Sequence, residues 1–364
     1  MRASALRIAG WMLACLWLGC ATLKAEPYIA LETAFKCSQC HVNPTGGGLR
    51  SIYGDVFAQA AMPAAHLDTG TGTWTGALNS FARLGGDLRF EFSSTQVPHS
   101  RTLTQADLEQ MRTYLEADVI PGRLTVYADE QVAPGGALNR EAWVMYQSAD
   151  HDWYLKAGQI YLPFGWRLQD QTAFVEQVSG INMTTPDQGA EFGWLHGHWD
   201  AQLTVSNGTA GGTVTDSRKQ YGSQLAYVES GWRVGVAVNY NDKLAGAFAT
   251  WGAFAGIRTG PVVWLGEADV ADNRGAATGQ GRTAGLLGEA DWLIVRGSNL
   301  KFTAEFLDPD QGVPHNGQTR WSVIYELTPI QFLQLRTGLR YSDGIPQNDA
   351  QHTRLYFVEL HGFF

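Results

Sequence analysis

From Arg83 onward the chain alternates apolar and polar positions over stretches of about ten residues, the length of a transmembrane strand. Leu84, Gly86, Leu88, Phe90 and Phe92 fall on one side of the first stretch, and Arg83, Asp87, Arg89 and Glu91 on the other. Trp232, Val234, Val236, Val238 and Tyr240 oppose Arg233, Gly235, Ala237 and Asn239 in the same way, and Leu300, Phe302, Ala304 and Phe306 oppose Lys301, Thr303 and Glu305. A period of two sends neighbouring side chains to opposite faces of a strand. A β-sandwich alternates as well, so the decision rests on how the stretches are joined. There are about sixteen of them, an even number as bacterial barrels have. Short turns at Pro121-Gly122, Asp150, Gly197, Ser230-Gly231, Thr259-Gly260, Gly297 and Pro329 take turns with longer loops at 93–106, 163–188, 207–219, 272–281, 308–317 and 342–350. Short periplasmic turns and long outer loops are the asymmetry of a transmembrane barrel. The last stretch ends on Phe364, similar to the terminal signal of outer-membrane proteins.

Composition agrees with that reading. In 364 residues there are 42 Gly, 12% aromatic and only 17% charged residues, which excludes a disordered chain, a coiled coil and a collagen-like repeat. Mean hydropathy is −0.17, and beyond the first residues no apolar run is long enough for a membrane helix, so any entry into a membrane is by strands. Residues 1–25 read as an export signal: Arg2 and Arg7 precede the apolar run Ile8 to Leu18, and Ala25 before Glu26 is a permissible cleavage point. Cys20 after Gly19 offers a lipoprotein cleavage instead, with Trp17 where a Leu is wanted. Removing residues 1–25 takes away Arg2, Arg7 and Lys24 and no acid, which moves the net charge from −9 to −12 and excludes nucleic acid as a partner.

Two of the four cysteines lie in that signal. The others stand in Cys37-Ser38-Gln39-Cys40-His41, a C-x-x-C-H haem-attachment pattern. Two thiols at this spacing reach the two vinyl groups of one haem, and the adjacent imidazole becomes the proximal iron ligand. A redox disulfide would need a βαβ setting, and a zinc site would want two more ligands nearby, where only His41 and His66 are on offer. The expectation is one haem c, joined through Cys37 and Cys40 and ligated by His41. Met62 or His66 would close the distal side, with Met62 preferred and water as a third option. Between them Asn43-Pro44-Thr45-Gly46-Gly47-Gly48 makes a turn close to a flat cofactor, and Leu49, Ile52, Val56 and Phe57 follow at helical spacing. Residues 26–75 are too few to bury a haem alone, so this segment must borrow its core. An even-stranded barrel has both chain ends on the periplasmic side, which puts the segment at or inside the periplasmic mouth, as a plug in the lumen of a barrel formed by residues 76–364.

A CxxCH segment ahead of about sixteen strands resembles the fused cytochrome–porin family of outer-membrane electron-transfer proteins, the best known of which oxidise ferrous iron outside the cell. The stretch Gly158-Gln159-Ile160-Tyr161-Leu162-Pro163-Phe164-Gly165 is similar to a segment of the phosphate-selective porin family just before an inward-folding loop. The resemblance implies an all-β, antiparallel outer-membrane barrel with a mostly helical or irregular haem c plug. It implies electron transfer, of the iron-oxidising type, between a small extracellular or lumen-entering donor or acceptor and a periplasmic carrier.

The inward faces carry a charge map. Arg83, Arg89, Arg112, Arg336 and Arg340 fall near the seam between the first and last strands, and Glu267, Asp269, Glu289, Asp291 and Glu305 on strands eleven to thirteen. Ordinary porin lining explains such opposed charges. A sharper reading pairs the haem propionates with Arg83 and Arg89 and makes the acidic wall a cation path. A diffusion porin with a haem-bearing plug and a barrel sheath for a separate multihaem cytochrome remain as alternatives, and a homo-oligomer is compatible with each. His99, His315 and His352 sit on outer loops, where histidines are usually solvated.

Overall fold

The computed structural model describes residues 26–364 apart from 69, 71, 245 and 274–280; the signal segment 1–25 lies outside the described residues. Sixteen antiparallel strands close into a barrel, each paired with its neighbours in the chain. They are β1 (Ala82–Gln96), β2 (Leu103–Ile120), β3 (Leu124–Ala133), β4 (Leu138–Gln147), β5 (Trp153–Ile160), β6 (Asp187–Trp194), β7 (Trp199–Ser206) and β8 (Gln220–Glu229), then β9 (Trp232–Asn241), β10 (Phe248–Thr259), β11 (Val262–Asn273), β12 (Arg282–Val295), β13 (Ser298–Asp308), β14 (Gln318–Ile330), β15 (Leu333–Asp343) and β16 (Thr353–Phe363). The ring closes between β1 and β16, in a register that sets Arg89 opposite His361.

The alternation read from the sequence is the inside–outside alternation of the wall. In β9 Trp232, Val234, Val236, Val238 and Tyr240 are exposed on the outer surface, while Arg233, Ala237 and Asn239 are buried towards the lumen. The short turns fall at the expected places. The first long connection does not, because β1 and β2 run on as a hairpin beyond the rest of the wall and leave only 97–102 as loop.

Residues 27–60 fold inside the barrel as three short helices, α1 (Pro27–Thr33), α2 (Cys37–Cys40) and α3 (Ile52–Ala60). Tyr28, Ile29 and Leu31 of α1 pack on Trp166, Phe254, Val263 and Leu265, so the barrel wall supplies the core that so short a segment lacks. The segment is pinned at the short-turn rim. Lys36 Nζ donates to the carbonyls of Leu195 in the β6–β7 turn and Trp199 at the start of β7, and Arg296, in the β12–β13 turn, donates to Pro63 O at 2.7 Å.

The buried face of α3 differs from the expected one. Gly54, Asp55, Ala58 and Gln59 are buried, and the apolar Ile52 and Val56 are exposed at 58% and 41%. The reason is local: Gly54 lies against the Cys40 carbonyl, and Asp55 is held by Arg83 at 2.6 Å. A Cβ on Gly54 would sit 2.1 Å from Cys40 O. Gly54→Ala should therefore force α3 off α2 at a cost of about 1–3 kcal/mol. Limited trypsinolysis should then cut the plug at Lys36 or Arg50 faster than in the parent protein.

The long connection 161–186 also folds inward and carries α4 (Phe174–Ser179) against β10 to β13. It covers the acidic wall. Glu267 accepts from Trp166 N at 2.9 Å, and Glu305 from Phe174 N at 2.7 Å and from Arg320 at 2.7 Å. Glu289 and Asp291 face Lys301 at 3.3 and 3.9 Å. Glu267 and Glu305 thus hold the inward loop, Glu305, Glu289 and Asp291 stand against arginine or lysine, and Asp269 is buried beside Glu267.

Candidate functional site

The attachment motif sits on α2, a single turn whose start is fixed by Lys36 N donating to Gln39 Oε1 at 2.8 Å. Both thiols are free, and His41 N donates to Cys37 O at 2.9 Å, which sets the imidazole one turn on from the first cysteine. The chain then turns through Asn43 to Gly48 and returns along Arg50, which forms a bridge with His41.

That turn is bolted to the wall of β3 to β6. Asn43 Nδ2 donates to Glu141 of β4 at 2.8 and 3.0 Å, and Asn43 Oδ1 accepts from Lys156 Nζ of β5 at 2.9 Å. Lys156 also donates to Thr45 Oγ1 at 2.7 Å and pairs with Glu191 of β6 at 3.1 Å. Asn43, Glu141, Lys156 and Glu191 are all at most 1% exposed. Such a network is stabilising only when every member is satisfied, and it fixes one position of the turn. Gly48 is required here: at φ +66° its Cβ would stand 2.1 Å from the Tyr127 hydroxyl, which itself accepts from Leu49 N at 3.0 Å.

Cys37, Cys40 and His41 open on one cavity in the lumen, lined by residues of the plug, the inward loop and the barrel wall. The cavity runs between opposite walls: Arg233 of β9 lies beside the Cys37 thiol, and Arg89 of β1, eight strands round the ring, faces it. Burial and the charge of Arg50 hold the His41 imidazole down at about 4, against a pull upward from the carbonyls of Gly47 and Gly48. The ring is therefore neutral at pH 7, the form that ligates metal. Burial pushes the Cys40 thiol up to about 11 and raises Cys37 as well.

The expected site residues divide. Met62 is buried and lines the cavity; His66 is exposed at the short-turn rim, outside the cavity lining, next to Leu67, which is bonded to Gln331. Arg89 lines the cavity with Asp87 at 3.1 Å. Arg83 does not, because its guanidinium is committed to Asp55, Glu116 and the Arg50 carbonyl, where it ties the plug to β1 and β2. Two lining residues were beyond the reach of the sequence. Met183 of the inward loop lies with its sulfur 3.2 Å from where a Gly47 Cβ would be, and His361 of β16 is held by Asp87 at 2.8 Å and Gln334 at 3.1 Å. On the outer loops His99 is held by Asp349 at 2.9 Å and His352 by Asp343 at 2.5 Å, and His315 is exposed.

The donor set fits a covalently held haem. Two reduced thiols at the attachment spacing and a neutral imidazole face one cavity, and His41 Nδ1 is buried without a partner.

No protein-family model and no curated protein matches the chain. Solved structures do, at the level of fold. A loop-deletion form of OmpT, an outer-membrane protein of Vibrio cholerae, aligns with a TM-score of 0.61 and 8% identity over 78% of this chain and 99% of that one. The anion-selective porin from Comamonas acidovorans aligns at 0.61 and 10% identity, again over 78% and 99%. OmpF of Salmonella typhi aligns at 0.58 and 12% identity over 78% and 97%. OmpT has also been solved in a trimer form. The fold is that of the sixteen-stranded outer-membrane porins, and about a fifth of the chain has no counterpart in these structures.

Proposed function

We propose that the protein is an outer-membrane, porin-like barrel carrying one haem c in its lumen, and that it passes single electrons between a small donor or acceptor entering from the long-loop side and a periplasmic carrier at the short-turn side. The observation that carries this reading is that Cys37, Cys40 and His41 open together on one cavity inside the barrel. When bound there, a haem supplies one-electron redox chemistry at its iron.

The chain's own residues do the rest. Cys37 and Cys40 would hold the group covalently, and His41 and Met62 would offer ligands to its iron. Arg89 offers a fork-shaped donor to carboxylates from the opposite wall. The network of Asn43, Glu141, Lys156 and Glu191 fixes the turn behind His41, and the inward loop narrows the lumen on the long-loop side. A barrel that crosses an apolar band about 25 Å tall insulates this site from lipid on all sides. Exposed Ile52, Tyr53 and Val56 of α3 give the short-turn mouth an apolar contact surface beside Cys40. A homo-oligomer is part of the same proposal, in keeping with the trimer form of one fold relative.

A second reading, a diffusion porin in which this segment is only a plug, is favoured by the fold relatives, one of them named an anion-selective porin. Redox-titrated visible spectra of the purified protein in detergent separate the two. Electron transfer predicts a c-type spectrum that small donors reduce and a lumen of low conductance in planar bilayers. A full-size ion conductance without covalent haem would establish the porin instead.

A further inference from the structure

The chain as a whole is acidic, yet the cavity is basic. Six arginines and Lys36 line it, against the carboxylates of Glu26 and Asp87. Three of those arginines have a carboxylate within ion-pair distance: Arg89 has Asp87, Arg112 has Asp129 and Arg233 has Asp200. Among the described residues, Arg50, Arg140 and Arg167 have none. Arg50 lies over the Phe363 ring at 4.5 Å, next to His41.

Arg140 and Arg167 belong to the other side. Arg140 stands near the long-loop end of β4 and donates to Gln131 Oε1 at 2.6 Å and to Thr184 O of the inward loop at 3.2 Å. Arg167 is in the inward loop itself and donates to Leu162 O at 3.0 Å and Thr45 O at 3.4 Å, 5.6 Å from the Tyr161 ring centre. All these acceptors are neutral; the nearby carboxylates, Asp129 for Arg140 and Glu176, Glu141 and Glu267 for Arg167, act only from beyond ion-pair distance, so both half-buried guanidinium groups keep their hydrogen-bonding forks free of a direct carboxylate partner. Arg167 also reaches the turn at Gly46, whose Cβ would lie 3.8 Å from its Cγ and 3.3 Å from Cys37 Sγ.

We propose that Arg140 and Arg167 form a binding site for a small polyanion, and that the protein's outer redox partner is of this class: a redox-active metal ion wrapped by a carboxylate chelator, in place of the free cation. Fork geometry matches carboxylate oxygens, and a cavity lined by one sign of charge concentrates ligands of the other. The proposal rests on the electron-transfer reading. The step is outer-sphere: one electron crosses, the chelated metal and the haem iron change by one oxidation state in opposite directions, and no bond or proton moves.

The test uses the purified full chain in detergent, in two arms. In the first, rates of haem reduction by ferrous EDTA, an anion, and by hexaammineruthenium(II), a cation, are compared at low salt. The anion-to-cation rate ratio should exceed one, fall about tenfold in R140Q/R167Q, and return in R140K/R167K. In the second arm, calorimetric titration with citrate reads the same site without needing haem, and the Gln pair should weaken binding about tenfold. A ratio that favours the cation, or one that the Gln pair leaves unchanged, overturns the redox assignment. Citrate binding equal in the parent and the Gln pair overturns the anion site. Protein without a c-type spectrum whose citrate binding still depends on the two arginines keeps the anion site and refutes only the electron-transfer reading.

Discussion

Replacing Cys37 and Cys40 together by Ala is expected to abolish all haem that survives acid–acetone extraction, while the protein still runs as a folded, heat-modifiable barrel. Each single replacement should leave a haem held by one thioether, with a shifted α-band in the pyridine haemochrome spectrum. The barrel should be indifferent because neither thiol takes part in the strand ladder, and the plug is anchored through Lys36, Asn43, Asp55 and Arg296. Covalent haem retained in the double variant would remove the basis of the proposed function.

Lys156→Met is expected to have the largest effect on stability. It leaves Glu191 buried without its ion-pair partner, takes from Glu141 the nearer of its two cations, and removes the hydrogen bonds to Asn43 and Thr45. Breaking a buried ion pair from one side costs about 3–5 kcal/mol. The loss should appear as a lower melting temperature, faster tryptic cleavage at Lys36 and Arg50, and a higher conductance as the turn leaves the wall. Removing the charges together, as K156M/E191M, should recover much of that loss, since apolar replacement of a whole pair is often neutral. If K156M melted with the parent protein, the turn would not depend on this network.

What was legible in the sequence follows from the range of the forces involved. Strand alternation is local: Trp232, Val234 and Val236 face out and Arg233 and Ala237 face in because lipid and lumen differ at every second residue. The need of residues 26–75 for a borrowed core was legible too, and Tyr28, Ile29 and Leu31 find it on the wall. The roles of α3, Arg83 and the acidic wall were not. Helical spacing put Ile52 and Val56 inside, but the close approach of Gly54 to Cys40 turned them out. Arg83 was expected at the cofactor and is spent on Asp55, a partner 28 residues away that no periodicity links to it. Met183 and His361 reach the cavity through the inward loop and the closing seam, contacts made only by the closed ring. The basic character of the cavity was hidden as well, because the arginines that make it come from β1, β2, β4, β9, the plug and the inward loop.

The closure of β1 on β16 also fixes an order of events in biogenesis. Cys37 and Cys40 lie inside a ring that has no free strand edge, under the β6–β7 and β12–β13 turns that grip Lys36 and Arg296. A macromolecular ligase cannot enter a lumen so filled. The proposed haem would therefore have to be attached while the chain is still an open periplasmic intermediate, and the insertion machinery would receive the N-terminal segment already loaded. The last strand to pair seals in whatever the first segment carries.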